Sequence, residues 1–248
     1  MKPGFRLVAA ALSLSFLPLA ATADPVVTDP SVISNERRVA ILEWKLASLR
    51  QQVALLEDAK AIERLQQAYG YYISEGMFGE AAALFSDDPG ASIELAQQGV
   101  YVGKPRIAAF LTHGGGLKDG EIQEGAIWQG VLNVSPDGKS ARGRWRTLIM
   151  GGTYGQDGTW TEGPYENQYV KENGVWKLHK VHWYMTVKGS YDQGWHKQHM
   201  PAAGPLADLP PDRPPSDQYE SWPAFYLPPY HYAHPVTGKP VAWDSAEK

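Results

Sequence analysis

The sequence predicts an α+β protein, because helical patterns fill its first half and hairpin patterns fill its second. Between residues 31 and 111, apolar residues recur at intervals of three and four, which is the period of an amphipathic helix. After Gly116, two pairs of strand-like segments each flank a short turn signal, as antiparallel hairpins do. This segregation favours helices packed on a curved sheet.

The composition is typical of a folded globular protein. The 248 residues are 43% hydrophobic and 20% charged, which fits one domain with extensions or two small domains. The 23 basic and 27 acidic residues leave a net charge of −4, which argues against nucleic acid as a partner. Without cysteine there can be no disulfide, thiolate metal site or cysteine nucleophile. The 9 Trp and 13 Tyr suit a pocket for a small aromatic substrate.

Residues 1–23 have the pattern of a secretory signal peptide. Lys2 and Arg6 give a basic start, an apolar run follows, and Ala21-Thr22-Ala23 forms a small-x-small site that predicts cleavage after Ala23. The apolar run is shorter than the roughly 20 residues that a spanning helix needs. We therefore expect a periplasmic or secreted protein with no membrane attachment after cleavage.

A linker and a heptad helix are predicted over residues 24–57. From Ser31 onward, six apolar residues alternate at spacings of three and four, which is the seam of a coiled coil. They are Val39, Leu42, Leu46, Leu49, Val53 and Leu56. The seam can pack against its own domain, as most amphipathic helices do, but we favour a subunit contact and therefore a homo-oligomer, a dimer or a trimer.

A pocket domain is predicted over residues 58–200. Helical periodicity predicts three helices, at 58–72, 80–85 and 104–111. Strand patterns predict two hairpins, 126–134 with 141–150 and 165–171 with 175–187. Their turn signals are Ser135-Pro136-Asp137-Gly138 and Asn173-Gly174, and Asn-Gly is the strongest two-residue turn marker.

The last segment, residues 201–248, is predicted to be an ordered arm. Eleven of the 19 prolines lie between Pro201 and Pro240, so regular structure is blocked there. The same stretch is too rich in Tyr, Trp and Phe for a freely disordered linker. We expect the arm to lie extended over its own subunit or a neighbour.

Several short motifs together resemble the SnoaL-like branch of the nuclear-transport-factor-2-like superfamily. The motifs, in chain order, are Asp58-Ala59-Lys60-Ala61-Ile62, Tyr69-Gly70-Tyr71-Tyr72, Ala83-Leu84-Phe85, Gly99-Val100-Tyr101-Val102-Gly103, Gly163-Pro164-Tyr165-Glu166-Asn167 and Asn173-Gly174-Val175-Trp176-Lys177. The resemblance covers roughly residues 58–190. It implies a cone-shaped barrel of curved antiparallel sheet and helices around one deep pocket. The superfamily includes scytalone dehydratases, polyketide cyclases, ketosteroid isomerases and non-catalytic binding domains, so the fold does not decide the chemistry.

The N-terminal heptad helix and the C-terminal Leu227-Pro228-Pro229-Tyr230-His231-Tyr232 segment are similar to longer, exported members from sphingomonads. That group includes the diarylpropane γ-formaldehyde lyases, which act on lignin-derived dimers without a cofactor. The chain departs from scytalone dehydratases, however. It has Ile73-Ser74 where they carry a Tyr-Asp pair, and Ala126 near the position of their first pocket histidine. Chemistry that depends on that dyad is not expected here.

Glu166 and Arg146 are the first candidate catalytic residues. Glu166 stands between Tyr165 and Tyr169, and by the resemblance it falls near the pocket asparagine of scytalone dehydratases. A carboxylate among aromatic rings is desolvated, which suits a general acid or base. Arg146, which shares one strand face with Arg142 and Arg144, is placed to stabilise a phenolate or a departing hydroxyl. The plain alternative for all of them is a solvated strand face.

His182 and Tyr72 are the other candidates for acid–base chemistry. His182 is followed by Trp183 and Tyr184, while Tyr72 ends the second predicted helix. His179 stands three residues from His182, so on a strand the two face opposite sides and cannot chelate, and we expect no metal. Six further aromatic residues are predicted to bind substrate or to be plain core: Tyr101, Trp128, Trp160, Tyr165, Trp183 and Tyr184.

These observations favour a cofactor-independent lyase that acts by acid–base chemistry on an aromatic diol, which the narrower resemblance identifies as a lignin-derived diarylpropane. No nucleotide loop or flavin fingerprint is visible, so no cofactor is expected. Two alternatives stay open. One is a dehydratase, isomerase or decarboxylase acting on another phenolic compound, and the other is a periplasmic aromatic-binding protein without turnover.

Overall fold

The computed structural model describes residues 34–241. The predicted signal peptide and most of the predicted linker lie outside the described residues. The chain divides into two compact units, one ending at Ser48 and one beginning at Leu49. The sheet, the arm and the candidate site all belong to the second unit. Among the described residues, no helix is long and apolar enough to cross a membrane.

A single 40-residue helix, α1 (Asn35–Ser74), replaces the two helices predicted at 31–57 and 58–72. It begins where the backbone N–H of Arg37 donates to Ser34 Oγ at 3.4 Å. No glycine or proline interrupts it before Gly70, and Asp58 does not act as an N-cap. The Asp58 carboxylate instead accepts hydrogen bonds from Lys171 and Trp176 of the sheet. The predicted break at Asp58 is therefore wrong.

Two short helices and seven strands follow. They are α2 (Phe78–Ala83), β1 (Ser92–Leu95), β2 (Val100–Val102), α3 (Lys104–Leu111), β3 (Glu121–Val134), β4 (Ser140–Thr153), β5 (Asp157–Glu172), β6 (Val175–Trp183) and β7 (Val187–Ser190). The helix at 104–111 is confirmed to the residue. Both hairpins are confirmed: β3, β4 and β5 are longer than predicted, whereas β6 ends at Trp183 instead of at the predicted residue 187. Strands β1 and β2 were not predicted, because three or four residues carry too little alternation to recognise.

The seven strands form one curved sheet in the order β2-β1-β6-β5-β4-β3, and β7 pairs with β5. The predicted α+β class is confirmed, with two differences. Strand β1 runs parallel to β6, so the sheet is mixed rather than fully antiparallel. Among the described residues, β2 and β3 are the two outermost strands of this order, and they do not pair with each other. The sheet is therefore open and not a closed barrel.

Helix α1 packs on one face of the sheet, which we call the inner face, and this face holds the core. Tyr69, Tyr165 and Tyr169 are fully or almost fully buried there. A polar chain runs through them: Trp145 Nε1 donates to Tyr169 Oη at 2.8 Å, and Tyr169 Oη donates to Gln66 Oε1 at 2.7 Å. These hydrogen bonds connect α1 to β4 and β5 and fix the position of the helix on the sheet.

Residues 213–232 of the arm lie on the opposite face of the sheet, which we call the outer face, whereas Leu206 and Leu209 pack against the core. The backbone of Arg213 pairs with Val100 of β2, and the backbone N–H of Trp222 donates to Thr186 O at 2.8 Å. The ordered, extended arm is thus observed, and it covers part of its own chain's sheet. It shields some of the charged residues on the outer face from water.

The Asp58 ion pair predicts an acid-sensitive component of stability. Burial alone would raise the pKa of Asp58, but hydrogen bonds from Lys171 (2.5 Å) and Trp176 (2.8 Å) outweigh it, so the pKa lies below its ordinary value of 3.8. A carboxylate whose pKa is lowered on folding stabilises the protein at pH values above its ordinary pKa. This stabilisation is lost as the pH falls through the pKa of the folded state. We expect Asp58→Asn to cost about 2 kcal/mol at neutral pH.

The measurement is the free energy of urea unfolding from neutral pH down to about pH 2. The wild type should lose more stability on acidification than Asp58→Asn. Glu63→Gln, which removes an exposed carboxylate from the same helix, is the matched control and should leave the pH dependence unchanged. Parallel curves for the wild type and Asp58→Asn would contradict the assignment.

Candidate functional site

The sheet separates the predicted site residues into two groups. Residues paired across strands share a face, and this places five of them on the outer face near the arm: Glu166, Arg146, His182, Trp128 and Tyr184. Tyr165, Trp183 and Tyr101 lie on the inner face, and Tyr72 packs against the core from the helix side. A single pocket lined by all of them is therefore ruled out.

Glu166 is the centre of a buried charged cluster on the outer face. Its side chain is 11% exposed, and its two oxygens contact Arg144 Nη1 at 2.5 Å and His231 Nδ1 at 2.7 Å. His231 belongs to the arm, is 6% exposed, and places its Nε2 3.0 Å from Asn133 Oδ1. The two ring nitrogens thus connect the arm to Glu166 on β5 and to Asn133 on β3.

Arg144, and not Arg146, is the arginine that pairs with Glu166. The two residues are direct partners in the β4–β5 register, whereas Arg146 lies opposite Pro164. Arg144 also donates to Pro229 O at 3.1 Å and lies 4.0 Å from the centre of the Tyr230 ring. Arg146, the arginine chosen from the sequence, is therefore not the direct partner of Glu166. Arg146 is 56% exposed and lies 4.0 Å from Glu162.

His182 lies on the same face, next to a second buried carboxylate. Its Nε2 is 3.5 Å from Glu94 Oε1, and its ring stacks on Tyr184 at 3.9 Å. Burial lowers the pKa of His182 below its ordinary 6.5, against the opposing effect of the Glu94, Asp217 and Glu166 carboxylates. At neutral pH the ring is therefore mainly neutral, and it must gain a proton before it can donate one to a bound molecule.

Tyrosine side chains form an aromatic wall over this cluster. Tyr184 Oη donates to Asp217 Oδ2 at 2.9 Å, and Tyr219 and Tyr226 stack on each other at 4.3 Å. Burial, followed by the hydrogen bond to Asp217, raises the pKa of Tyr184 far above its usual range. Burial also raises the pKa of Tyr219 and of Tyr226 to about 12. These phenols stay protonated and act as hydrogen-bond donors or ring surfaces.

Three cavities border the cluster beneath the arm. One of about 480 Å³ and one of about 250 Å³ share Glu166, Gln168 and His182 on their walls. The third, of about 650 Å³, is lined by Arg144, Arg146 and several arm aromatics, among them Phe225, Tyr226, Tyr230 and Tyr232. Small-molecule pockets span about 300–1,000 Å³. The outer face therefore combines acid–base groups with space and aromatic surface.

The inner face, by contrast, retains a cavity of only about 20 Å³. It lies between the end of α1 and strands β3 and β4, and it is bordered by Ser74, Thr147 and Tyr165. Ser74 Oγ accepts the backbone N–H of Gly125 at 2.9 Å, and Thr147 Oγ1 has no hydrogen-bond partner. The space holds about one water molecule. This cavity between α1 and the sheet is much smaller than the deep pocket that the resemblance implies.

Asn167, the neighbour of Glu166, points to the inner face. It donates to Gln66 Oε1 at 3.0 Å and accepts the backbone N–H of His182 at 3.1 Å. Side chains alternate along a strand, so Glu166 lies on the outer face and not among the inner-face residues beside Asn167.

The remaining aromatic candidates occupy separate places. Tyr101 is fully buried and its hydroxyl donates to Leu209 O at 2.8 Å, while Trp183 Nε1 donates to Gly163 O at 3.2 Å. Trp160 stacks on Tyr191 at 6.0 Å beside a cavity of about 870 Å³ at the β4–β5 turn. That cavity is larger than those on the outer face, but it has no basic residue on its walls. Its ionisable walls are formed by the carboxylates Glu121, Asp157 and Asp192 and by tyrosines.

The sequence prediction missed three members of the cluster: Arg144, Glu94 and His231. Arg144 is one of the three alternating arginines in the sequence, but only the register between β4 and β5 identifies it as the partner of Glu166. Glu94 lies on an unpredicted strand, and His231 lies 65 residues beyond Glu166, so no local pattern connects them. Among residues 34–241, no group of three His, Asp or Glu side chains could hold a metal ion.

Comparison with known proteins places the chain in a family. Residues 54–182, just over half of the sequence, match the model of the SnoaL-like domain. The protein belongs to the SnoaL-like family, with an N-terminal helical extension and a C-terminal arm. A search of curated proteins found no significant match.

Solved structures align with this chain at low sequence identity. A provisionally assigned scytalone dehydratase from Novosphingobium aromaticivorans DSM 12444 superposes with a TM-score of 0.50 at 21% identity, over 63% of this chain and 97% of that one. The type 3 hexachlorocyclohexane dehydrochlorinase LinA from Novosphingobium barchaimii LL02 has a TM-score of 0.49 at 19% identity, over 56% and 93%. The first likeness supports the fold alone.

Proposed function

We propose that the protein is a cofactor-independent lyase that acts on an aromatic diol by acid–base chemistry at the outer-face cluster. One observation carries the proposal: Glu166 and His182 line the same cavity, together with the rings of Tyr184 and Tyr230. A carboxylate and an imidazole facing one space can remove and deliver a proton in the same turnover. The aromatic walls suit a flat ligand.

The substrate class proposed is a lignin-derived diarylpropane diol. Glu166 takes the proton of the primary hydroxyl, and the bond between that carbon and its neighbour breaks to release formaldehyde. The bonding electrons form the central double bond of a stilbene, and the benzylic hydroxyl leaves as water with a proton from His182. Arg146, exposed at the neighbouring cavity, stabilises negative charge on a phenol ring. Tyr72 has no part, because it lies on the helix side of the sheet.

The test is incubation of the full-length protein with diarylpropane diols. We expect formaldehyde and stilbene absorbance to appear in equal amounts. A His182→Asn control should slow both products together. A new product without formaldehyde indicates a dehydratase, isomerase or decarboxylase instead, and no formaldehyde across a panel of diols refutes the lyase.

Binding without turnover is a second candidate, favoured by one observation. Both Glu166 oxygens are already paired, one with Arg144 and one with His231. A purely binding protein would hold the aromatic ligand under the arm and return it unchanged. Mass spectrometry of an aromatic library after long incubation separates the two functions, because only the lyase alters its ligand.

We also propose that the protein is exported after cleavage at Ala23 and forms a homo-oligomer through the heptad seam. In the second unit the seam residues Leu49, Val53 and Leu56 are all more than half exposed. Exposed Leu and Val at heptad positions are buried when helices associate.

Replacing Leu49 and Val53 together by Glu should reduce the assembly to monomers in light scattering. Gln51→Glu adds a negative charge outside the seam and should leave the mass unchanged. An unchanged mass for the double variant would contradict the seam assignment.

A further inference from the structure

Glu94 is a buried carboxylate on the outer face that the proposed reaction does not use. It is the direct partner of His182 in the β1–β6 register, and its side chain is 6% exposed. The arm fixes it from the other side: Ser216 donates its backbone N–H to Oε1 at 2.7 Å and its hydroxyl to Oε2 at 2.6 Å. Both oxygens are thereby held, with Oε1 turned towards His182 Nε2.

One face of the His182 ring is also contacted by a side chain that the arm holds. Tyr184 stacks on the imidazole with an interplanar angle of 24°, and its hydroxyl donates to Asp217. Two consecutive arm residues, Ser216 and Asp217, therefore hold the carboxylate at the Nε2 edge of the imidazole and the phenol on its face. These two contacts restrict the orientation of the ring towards the cavity that it shares with Glu166.

The charges around His182 come from every element packed against it. Glu94 on β1, Glu166 on β5 and Asp217 on the arm are negative and favour the protonated ring. Lys180 on β6 and Arg213 on the arm line the same cavity and are positive. Of these groups, Glu94 is paired with the ring nitrogen itself, at 3.5 Å, so it has the strongest directional effect on the proton.

We propose that Glu94 is a positioning residue for His182: it orients the imidazole and favours its protonated form, and the arm holds Glu94 in place. The inference rests on the proposed function only in giving His182 the role of proton donor. The geometry itself is independent of any substrate. A carboxylate that orients an imidazole is a common arrangement around acid–base histidines.

The test is an NMR titration of the histidine rings in the full chain, without substrate. Because Glu94 favours the protonated ring, Glu94→Gln should move the His182 midpoint to lower pH and leave His179 unchanged. Glu172→Gln is the matched control. The Glu172 charge acts on His179, so this variant should lower the His179 midpoint and leave His182 unchanged.

Glu94→Asp retains the charge at a greater distance and should give a His182 midpoint between the wild type and Glu94→Gln. If Glu94→Gln fails to fold, the comparison of Glu94→Asp with the wild type tests the proposal instead. An unchanged His182 midpoint in a folded Glu94 variant overturns the proposal.

Where turnover is measured, Glu94→Gln should lower kcat/KM by about 10- to 100-fold and move the basic limb of the pH profile to lower pH. The titration and the turnover assay can fail separately. A shifted titration with no turnover refutes the lyase and retains the positioning role.

Discussion

Glu166→Gln is expected to reduce kcat/KM by about 10²- to 10⁴-fold, because the amide cannot accept the proton that the reaction removes. The substitution keeps the shape of the side chain and its contact with Arg144 Nη1. It removes the negative charge between Arg144 and His231, which are 13% and 6% exposed. The nearly buried Arg144 guanidinium then has no carboxylate partner.

The same substitution should therefore cost about 3 kcal/mol of stability, as expected when one partner of a buried ion pair is lost. A second variant separates this cost from the chemistry. Combining Glu166→Gln with Arg144→Met removes both charges, so we expect much of the stability to return while the activity does not. Urea unfolding and the formaldehyde assay measure the two effects.

Glu162→Gln is the matched control for the loss of activity. Glu162 lies on the same strand and face, but its partners are Thr186 and, at 4.0 Å, Arg146. We expect its effect on kcat to be less than about tenfold. If Glu166→Gln is as active as the wild type, Glu166 is not the base and the charged cluster serves only to hold the arm.

Trp145→Ala is expected to destabilise the protein by about 3–5 kcal/mol, which is the usual cost of removing a buried tryptophan. The indole is 4% exposed and fills the space above two glycines. A Cβ atom at Gly130 would lie 2.2 Å from Trp145 Cζ3, and one at Gly143 would lie 2.8 Å from Trp145 Nε1. Its loss leaves a cavity and removes a donor from Tyr169 Oη.

The free energy of unfolding in urea measures this effect. Trp44→Ala is the matched control, because Trp44 is 58% exposed on α1 and lies outside the heptad seam. It should change the stability by less than about 0.5 kcal/mol. A loss below about 1 kcal/mol for Trp145→Ala would show that the inner face is not the closely packed core that the structure describes.

Trp145 also connects the core to the candidate site. It occupies the inner face of β4 between Arg144 and Arg146, which project to the outer face. Anchoring the indole therefore anchors the strand that presents Arg144 to Glu166. We expect Trp145→Ala to weaken the outer-face cluster as well, although the indole lies on the opposite side of the sheet.

Local patterns in the sequence determined helix α3 and the two hairpins. The bounds of α3 follow from Gly103, Pro105 and helical periodicity, and both hairpins follow from their turn residues. The alternation of Arg142, Arg144 and Arg146 correctly predicted one shared face. These features depend on interactions within a few residues, so the sequence alone was sufficient to predict them.

Only the tertiary structure decided which face carries the candidate site. Glu166 and Asn167 are neighbours in the chain, and the register of β5 sends one to the arm and the other to α1. The arm brings His231, Ser216 and Asp217 to strands more than thirty residues earlier in the chain, at distances that no local pattern encodes. The sequence thus determined the strands of the two hairpins and the aromatic excess. The packing of the arm on the sheet decided which charged residues are buried together.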